Sequence, residues 1–226
     1  MSVFKNWVAG TIGAVLVSAA CLALFALLSR GCSTIRLVDG RNHVKGYAHA
    51  LNEYHEQFDA FPPVAVYDDA SQPLHSWRMF IEPYLGVVSD RERSRYDREQ
   101  SWDSDWNRSV TVPKFGDYQC LAVIGDRTAW KERGSRNRTE FQDGTSNTVM
   151  AIGLRNTGVS YAEPVDLLLG KDGKLRLSKD PSGQPVDTRD VLLLFADGNV
   201  RYHAEISDEE LAGLLTIDGG EPLPGW

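Results

Sequence analysis

Two absences restrict what this sequence can do: it has few cysteines and no strongly basic run. With 3 Cys among 226 residues, it cannot build the disulfide framework that staples small secreted domains. Cys21 lies in an apolar run, and Cys32 and Cys120 could pair only if the fold brings them together. The formal net charge is −7, and nucleic acid is excluded as a partner because phosphate binding needs a basic patch.

The motifs of common catalytic sites are also missing. A hydrolase using His75 and Ser146 would need the strand-to-helix elbow Gly-x-Ser-x-Gly, but position 148 is Thr. Neither zinc-ligand spacing nor a Gly-rich phosphate loop accompanies these residues. Hydrolysis is therefore the weakest of three hypotheses, and we predict a protein that is not an enzyme and has no bound cofactor.

Acidic residues are absent before Asp39, and residues 8–28 carry no charge. A helix of 21 uncharged residues is long enough to cross a hydrocarbon core. We predict a transmembrane anchor within residues 1–32, with the membrane as a partner through residues 8–28. A cleaved secretory signal is the alternative, and the length of the run favours a retained signal-anchor because a signal core has roughly 7–15 residues.

The segment 41–58 predicts an amphipathic helix. Its apolar residues recur at spacings of three and four, and Pro62 and Pro63 stop it. We expect this face to pack on the chain's own sheet. The remaining sequence reads as one head domain, residues 33–226 including the helix, because just under two hundred residues suffice for one sizeable core. The residues of the apolar face are Val44, Tyr47, Ala48, Leu51, Tyr54, His55 and Phe58.

Beyond the helix, the pattern alternates between strands and turns. Helical spacing returns over residues 74–85, although Pro83 should shorten or kink that helix. Strands are predicted at 118–124 and 149–154, and a hairpin joins 191–196 to 199–204 through Asp197-Gly198. A final helix is expected after a Ser207 cap with Glu210 completing a capping box, whereas residues 171–190 should be a surface loop or a weak hairpin.

Four aspartates are candidate oxygen ligands for calcium: Asp103, Asp105, Asp143 and Asp197. Carboxylates must converge on the ion at about 2.3–2.6 Å. These residues are spread over nearly a hundred positions and mostly occupy turn sequences, so turn formation is the commoner use. A calcium- or glycan-binding exported head is accordingly the second hypothesis for function.

Several ordered motifs resemble the domain-of-unknown-function family numbered 1559. The first is Asn52-Glu53-Tyr54-His55-Glu56 followed by Phe61-Pro62-Pro63, and the match covers nearly all of residues 41–221. The later motifs are Pro73-Leu74-His75-Ser76-Trp77-Arg78, Pro83-Tyr84-Leu85, Trp102-Asp103-Ser104, Asp143-Gly144-Thr145-Ser146-Asn147-Thr148, Pro164-Val165-Asp166-Leu167 and Ala196-Asp197-Gly198-Asn199-Val200.

Members of that family are similar to type IV pilins and type II secretion pseudopilins. The resemblance implies an α+β, pilin-like fold, in which a long N-terminal helix with a transmembrane lower half packs on an antiparallel β-sheet head. It also implies a bacterial cell-envelope protein in the inner membrane, single-pass, with its head exported to the periplasm or cell surface.

The sequence departs from the family pattern at its amino terminus. A prepilin leader carries an acid within the apolar segment, and none is present here. An unpaired carboxylate in hydrocarbon is costly, so it is retained only where it has a function. The absence of this acid argues against the stacking of subunits as in a pilus. The first hypothesis is therefore a membrane-anchored, non-enzymatic pseudopilin-like protein that acts through protein or surface contacts, either self-association or other envelope proteins.

Overall fold

The computed structural model of the protein describes residues 37–110 and 118–220. The described residues from Gly40 onward belong to one compact unit. The helices are α1 (37–58), α2 (Arg78–Leu85), α3 (Asp90–Arg93), α4 (Asp105–Ser109) and α5 (Asp208–Leu215), with a 3-10 turn at Arg138–Glu140. The strands are β1 (Ala65–Tyr67), β2 (Pro73–Ser76), β3 (Tyr118–Ile124), β4 (Val149–Arg155), β5 (Leu167–Leu169), β6 (Leu175–Leu177), β7 (Val191–Phe195) and β8 (Val200–His203).

Six strands form the main sheet in the order β6-β5-β3-β4-β7-β8, and β1 and β2 form a separate antiparallel pair. Every neighbouring pair in the main sheet is antiparallel except β3 and β5, which run parallel through Val123↔Leu167 and Ile124↔Leu168. The expectation of an antiparallel sheet therefore holds for four of the five neighbouring pairs and is wrong for β3 and β5. The reason is that the chain leaving β4 crosses to the far side of β3 before it forms β5.

The two faces of the sheet bury different elements. On one face, α5 contributes Leu211, Leu214 and Leu215 to an apolar cluster that includes Leu121 and Leu193 of the sheet. The strand residues of this cluster recur at every second position, as a period of two requires, except in β4, where an irregularity between Val149 and Ala151 places Val149 and Ile152 on the same face.

On the opposite face, α1 lies close to the sheet because a glycine lets it approach. A Cβ built on Gly153 would stand 3.0 Å from Val44 Cγ2 of α1 and 3.1 Å from Leu192 Cβ of β7. Both distances are shorter than normal packing contacts, so the absence of a side chain here is a condition of the helix position. Val44, Tyr47 and Leu51 are almost completely buried.

The predicted transmembrane lower half of the helix is not supported. Within residues 37–110 and 118–220, no helix is long and apolar enough to cross a membrane. Helix α1 has 22 residues and carries charges such as Arg41, Lys45 and Glu53 along its length. This finding contradicts the transmembrane pilin-like fold, the signal-anchor and the single-pass inner-membrane localisation, and we withdraw them. Residues 8–28, which carried the prediction, lie outside the described residues.

Residues 74–85, predicted to be one helix, divide into strand β2 and helix α2. Pro83 lies inside α2, where it has no backbone N–H to donate to the preceding turn of the helix, and a side chain takes over as the donor. The carbonyl oxygen of Met79, four residues earlier, accepts a hydrogen bond of 3.0 Å from Nη2 of Arg98 instead. The helix ends at Gly86, whose φ of 63° is the left-handed conformation that favours glycine.

The strands and turns predicted in the second half of the chain agree closely with the structure. The hairpin β7–β8 turns at Asp197-Gly198, and the Ser207 side chain accepts a hydrogen bond from the Glu210 backbone N–H at the start of α5. The predicted capping box is incomplete, because among the described residues the Glu210 side chain does not accept from the Ser207 N–H. Of the two alternatives predicted for residues 171–190, a surface loop or a weak hairpin, the structure shows the hairpin, in which β5 and β6 pair about Gly173.

Candidate functional site

A buried ion pair between Arg78 and Asp166 lies at the centre of the head. The Arg78 side chain is 0% exposed and the Asp166 side chain 2%, and Nη1 stands 2.8 Å from Oδ1. The guanidinium also donates to four carbonyl oxygens: those of Cys120, Tyr161, Glu163 and Val165, at 2.8–3.1 Å. The planar fork of arginine suits this arrangement because it offers five N–H donors in fixed directions.

The Asp166 carboxylate accepts further hydrogen bonds besides the one from Arg78. Its Oδ1 accepts from Nε1 of Trp77 at 3.1 Å and from the backbone N–H of Ala122 at 2.8 Å. Burial raises the pKa of Asp166, while the Arg78 charge and these hydrogen bonds act in the opposite direction. The pair fastens α2, strand β3 and the loop before β5 to one another, so it is a structural centre rather than a reactive one.

The loop held by Arg78 forms one wall of a cleft, which we call the 64–179 cleft. Its volume is about 690 Å³, within the range of roughly 300–1,000 Å³ typical of ligand sites. It lies beside the ends of β1, β3 and β5, where the parallel pair leaves the strand ends side by side. The residues that line it are Val64, Ala65, Tyr67, Pro73, Trp102, Ile124, Gly125, Asp126, Glu132, Glu163, Pro164, Val165, Asp166, Leu168, Ser178 and Lys179.

The charges of the 64–179 cleft are unequally compensated. Asp166 is paired with Arg78, and Glu163 receives Nζ of Lys179 at 3.0 Å. Asp126 and Glu132 are exposed, and neither has an ion-pair partner in the part of the chain that the structure describes. The cleft therefore presents two uncompensated carboxylates at its edge.

Two aromatic side chains contribute to the same cleft. Tyr67 is half-buried, and the guanidinium of Arg133 lies over its ring, 4.4 Å from the centroid. Trp102 is half-buried as well, and its backbone N–H donates to the Leu74 carbonyl of β2 at 3.0 Å. Both rings offer faces suited to flat or cationic groups.

The four aspartates predicted from sequence lie in three separate local structures, since Asp103 and Asp105 both stand at the start of α4. Asp143 accepts from the backbone N–H groups of Gly219 and Gly220, and Asp197 accepts from Asn199 within the hairpin turn. Asp103 accepts from the Ser101 hydroxyl, and Asp105 begins α4. The described residues contain no group of three or more His, Cys, Asp or Glu that could hold a metal ion. Their contacts are those of turn and capping residues, and a calcium role stays a prediction.

The residues considered for catalysis are also engaged elsewhere. His75 is 3% exposed, its Nε2 lies 2.8 Å from the Arg98 carbonyl oxygen and its Nδ1 lies 2.9 Å from the Tyr96 hydroxyl. Ser146 is exposed on the turn before β4. Cys120 is completely buried, and burial raises the pKa of its thiol to about 12, which leaves it unreactive. Cys32, its only suggested disulfide partner, lies outside the described residues.

Sequence reasoning missed the 64–179 cleft. Tyr67, Trp102, Asp126 and Glu132 come from separate segments with no shared spacing, so no motif joins them. The one usable signal was the pair of quoted motifs that contain Arg78 and Asp166, since a charged residue beside large apolar ones in each motif suggests a buried ion pair. No family model, curated protein or solved structure matches the chain, and the resemblance described above stays a prediction.

The environment of His75 predicts pH-dependent stability. The Arg98 carbonyl oxygen can only accept, so Nε2 carries a proton, and in the neutral ring Nδ1 accepts from the Tyr96 hydroxyl. Burial lowers the pKa of His75 below its ordinary value. The unfolded chain therefore binds more protons below about pH 6.5, and stability is present above that pH and is lost as pH falls.

We expect the free energy of unfolding to decrease below pH 6.5 with a slope of up to about 1.4 kcal/mol per pH unit for each such histidine. Burial also lowers the pKa of His55 and His203. The slope measured for the wild type is therefore the sum of the contributions of these histidines and His75. Urea unfolding between pH 5 and 8 measures it, and His75→Gln should make the slope shallower. Equal slopes for the wild type and the variant would contradict the assignment of a neutral, buried His75.

Proposed function

We propose that this is a non-enzymatic binding protein whose mostly β head acts through contacts with another molecule at the 64–179 cleft. The observation that carries the proposal is the composition of the cleft: apolar walls, two half-buried aromatic rings and two uncompensated carboxylates in a volume of about 690 Å³. Concave sites of this kind, with a few polar groups among apolar ones, are typical of ligand sites.

His75 and Cys120 are held by contacts within the protein, and this supports a binding function rather than catalysis. His75 has both ring nitrogens within hydrogen-bonding distance of protein groups, and the Cys120 thiol is buried against Arg78 and Asp166. A general base must reach the proton that it abstracts, and a nucleophile must reach its substrate. The Arg78 pair anchors the cleft wall that contains Glu163 and Asp166, and the backbone carbonyls of Asp126 and Glu132 accept hydrogen bonds from Arg136 and Tyr67. These contacts favour a fixed surface for recognition.

Site-specific photo-crosslinking in native cells tests this function. A benzoylphenylalanine placed at Trp102, inside the cleft, should give a discrete covalent adduct with a partner molecule. The matched control is the same amino acid at Phe58, which is aromatic, 54% exposed and outside the cleft. Adducts of the same identity and yield from both positions, or no adduct from Trp102, would contradict the proposed function.

A further inference from the structure

The 64–179 cleft has the chemistry to select its ligand by charge. Its lining holds four carboxylates and one ammonium group, and internal pairs with Arg78 and Lys179 neutralise two of the carboxylates. Asp126 and Glu132 remain at the edge. The chain as a whole carries a net charge of −7, so its field attracts cations and repels anions.

The protein itself shows how this cleft accommodates a cation. The Arg133 guanidinium stacks on the Tyr67 ring at 4.4 Å, and the Tyr67 hydroxyl donates to the Glu132 carbonyl oxygen at 3.2 Å. Arg133 is exposed, and its guanidinium covers one face of the Tyr67 ring. A guanidinium or ammonium group gains from an aromatic face and from nearby carboxylates together.

The apolar walls specify the rest of the ligand. Ile124, Val165 and Leu168 line the cleft beside Pro73 and Trp102. Long basic side chains bury their aliphatic stems on apolar surface while the charged end stays near water. A cavity of about 690 Å³ has room for two or three such side chains rather than for a folded domain.

We infer that the 64–179 cleft binds a basic peptide segment, with an Arg or Lys stem against Trp102 and the wall residues and its charge between Asp126 and Glu132. This inference rests on the proposed function and names its ligand class. A glycan could use the same aromatic faces, but it would not need the two uncompensated carboxylates, so the charge balance favours the peptide.

Selection from a random twelve-residue peptide library on the full chain tests the inference. Three proteins are compared: the wild type, the cleft variant Asp126→Asn with Glu132→Gln, and a control variant Asp69→Asn with Glu99→Gln. The control changes the net charge equally through exposed residues outside the cleft. We expect peptides selected on the wild type and on the control to be enriched in Arg or Lys, and the cleft variant to lose that enrichment.

The affinity of a selected peptide should fall about tenfold for the cleft variant and less than twofold for the control, since each exposed ion pair contributes only a modest free energy. Replacing its Arg with citrulline should weaken binding similarly. The inference is overturned if selected peptides lack basic residues, if the citrulline peptide binds equally, or if an N-acetylglucosamine hexasaccharide binds where no peptide does. The proposed function survives each of these outcomes when Trp102 still gives its own adduct, and it fails when that adduct is absent or is matched by the Phe58 control.

Discussion

Replacing Arg78 with Met is expected to lower the free energy of unfolding by about 3–5 kcal/mol, the cost of breaking a buried ion pair from one side. Met fills much of the volume but leaves Asp166 charged and buried, together with four carbonyl oxygens that lose their donor. Urea unfolding followed by circular dichroism measures the change.

Arg189→Met is the matched control for Arg78→Met. Arg189 makes a bidentate contact with Asp187 that is as short as the buried one, but its side chain is 72% exposed. An exposed pair contributes about 0–1 kcal/mol, because water solvates both charges when the pair is lost. If the two variants differ by less than about 1 kcal/mol, Arg78 does not have the role assigned to it.

Two conservative variants separate charge from geometry at the buried pair. Asp166→Asn keeps an oxygen that can accept from Trp77 and Ala122, but it leaves the Arg78 charge uncompensated. Arg78→Lys keeps the charge and loses the fork, since an ammonium has three donors where the structure uses five bonds. Both should be destabilising, and the wall formed by the Glu163–Asp166 loop should become less ordered in hydrogen exchange.

Substitution of Gly40 by Ala should destabilise the protein by about 1–3 kcal/mol or more, although alanine is the better helix former. A Cβ on Gly40 would lie 2.5 Å from Cε2 of Tyr118 and closer still to Cδ2, and Tyr118 is buried at the start of β3. Because the ring is 3% exposed, it can move away only if its neighbours also shift, and the helix or the strand must otherwise move. Thermal unfolding and urea unfolding both measure the effect.

Gly46→Ala, on the same helix, is expected to change the stability in the opposite direction. The nearest atom to a Cβ on Gly46 is Cδ2 of Leu85 at 3.8 Å, an ordinary contact. The variant should therefore stabilise the protein by about 0.5–1 kcal/mol through helix propensity and a less flexible unfolded chain. Equal effects at Gly40 and Gly46 would contradict the close approach of α1 to β3.

The sequence determined the local structure of much of this protein. Residues 41–58 carry an apolar stripe of helical period, and they lie within the helix 37–58. The strands at β3, β4, β7 and β8 follow from short apolar runs bounded by turn residues, and Asp197-Gly198 turns the last hairpin because glycine accepts the positive φ of 88° there. These features depend on neighbours in the chain, and a pattern in one sequence reports them directly.

Tertiary structure alone decided which distant residues meet. The parallel placement of β5 beside β3 depends on the route of the loop between β4 and β5, and no residue spacing encodes that route. Arg78 and Asp166 are 88 positions apart, and each was visible only as a charge within a motif. The 64–179 cleft exists because this pair holds one loop against the ends of two strands, and Asp126 and Glu132 at its edge have no ion-pair partner among residues 37–110 and 118–220. Long-range packing and burial energies select these contacts, and local periodicity carries no record of them.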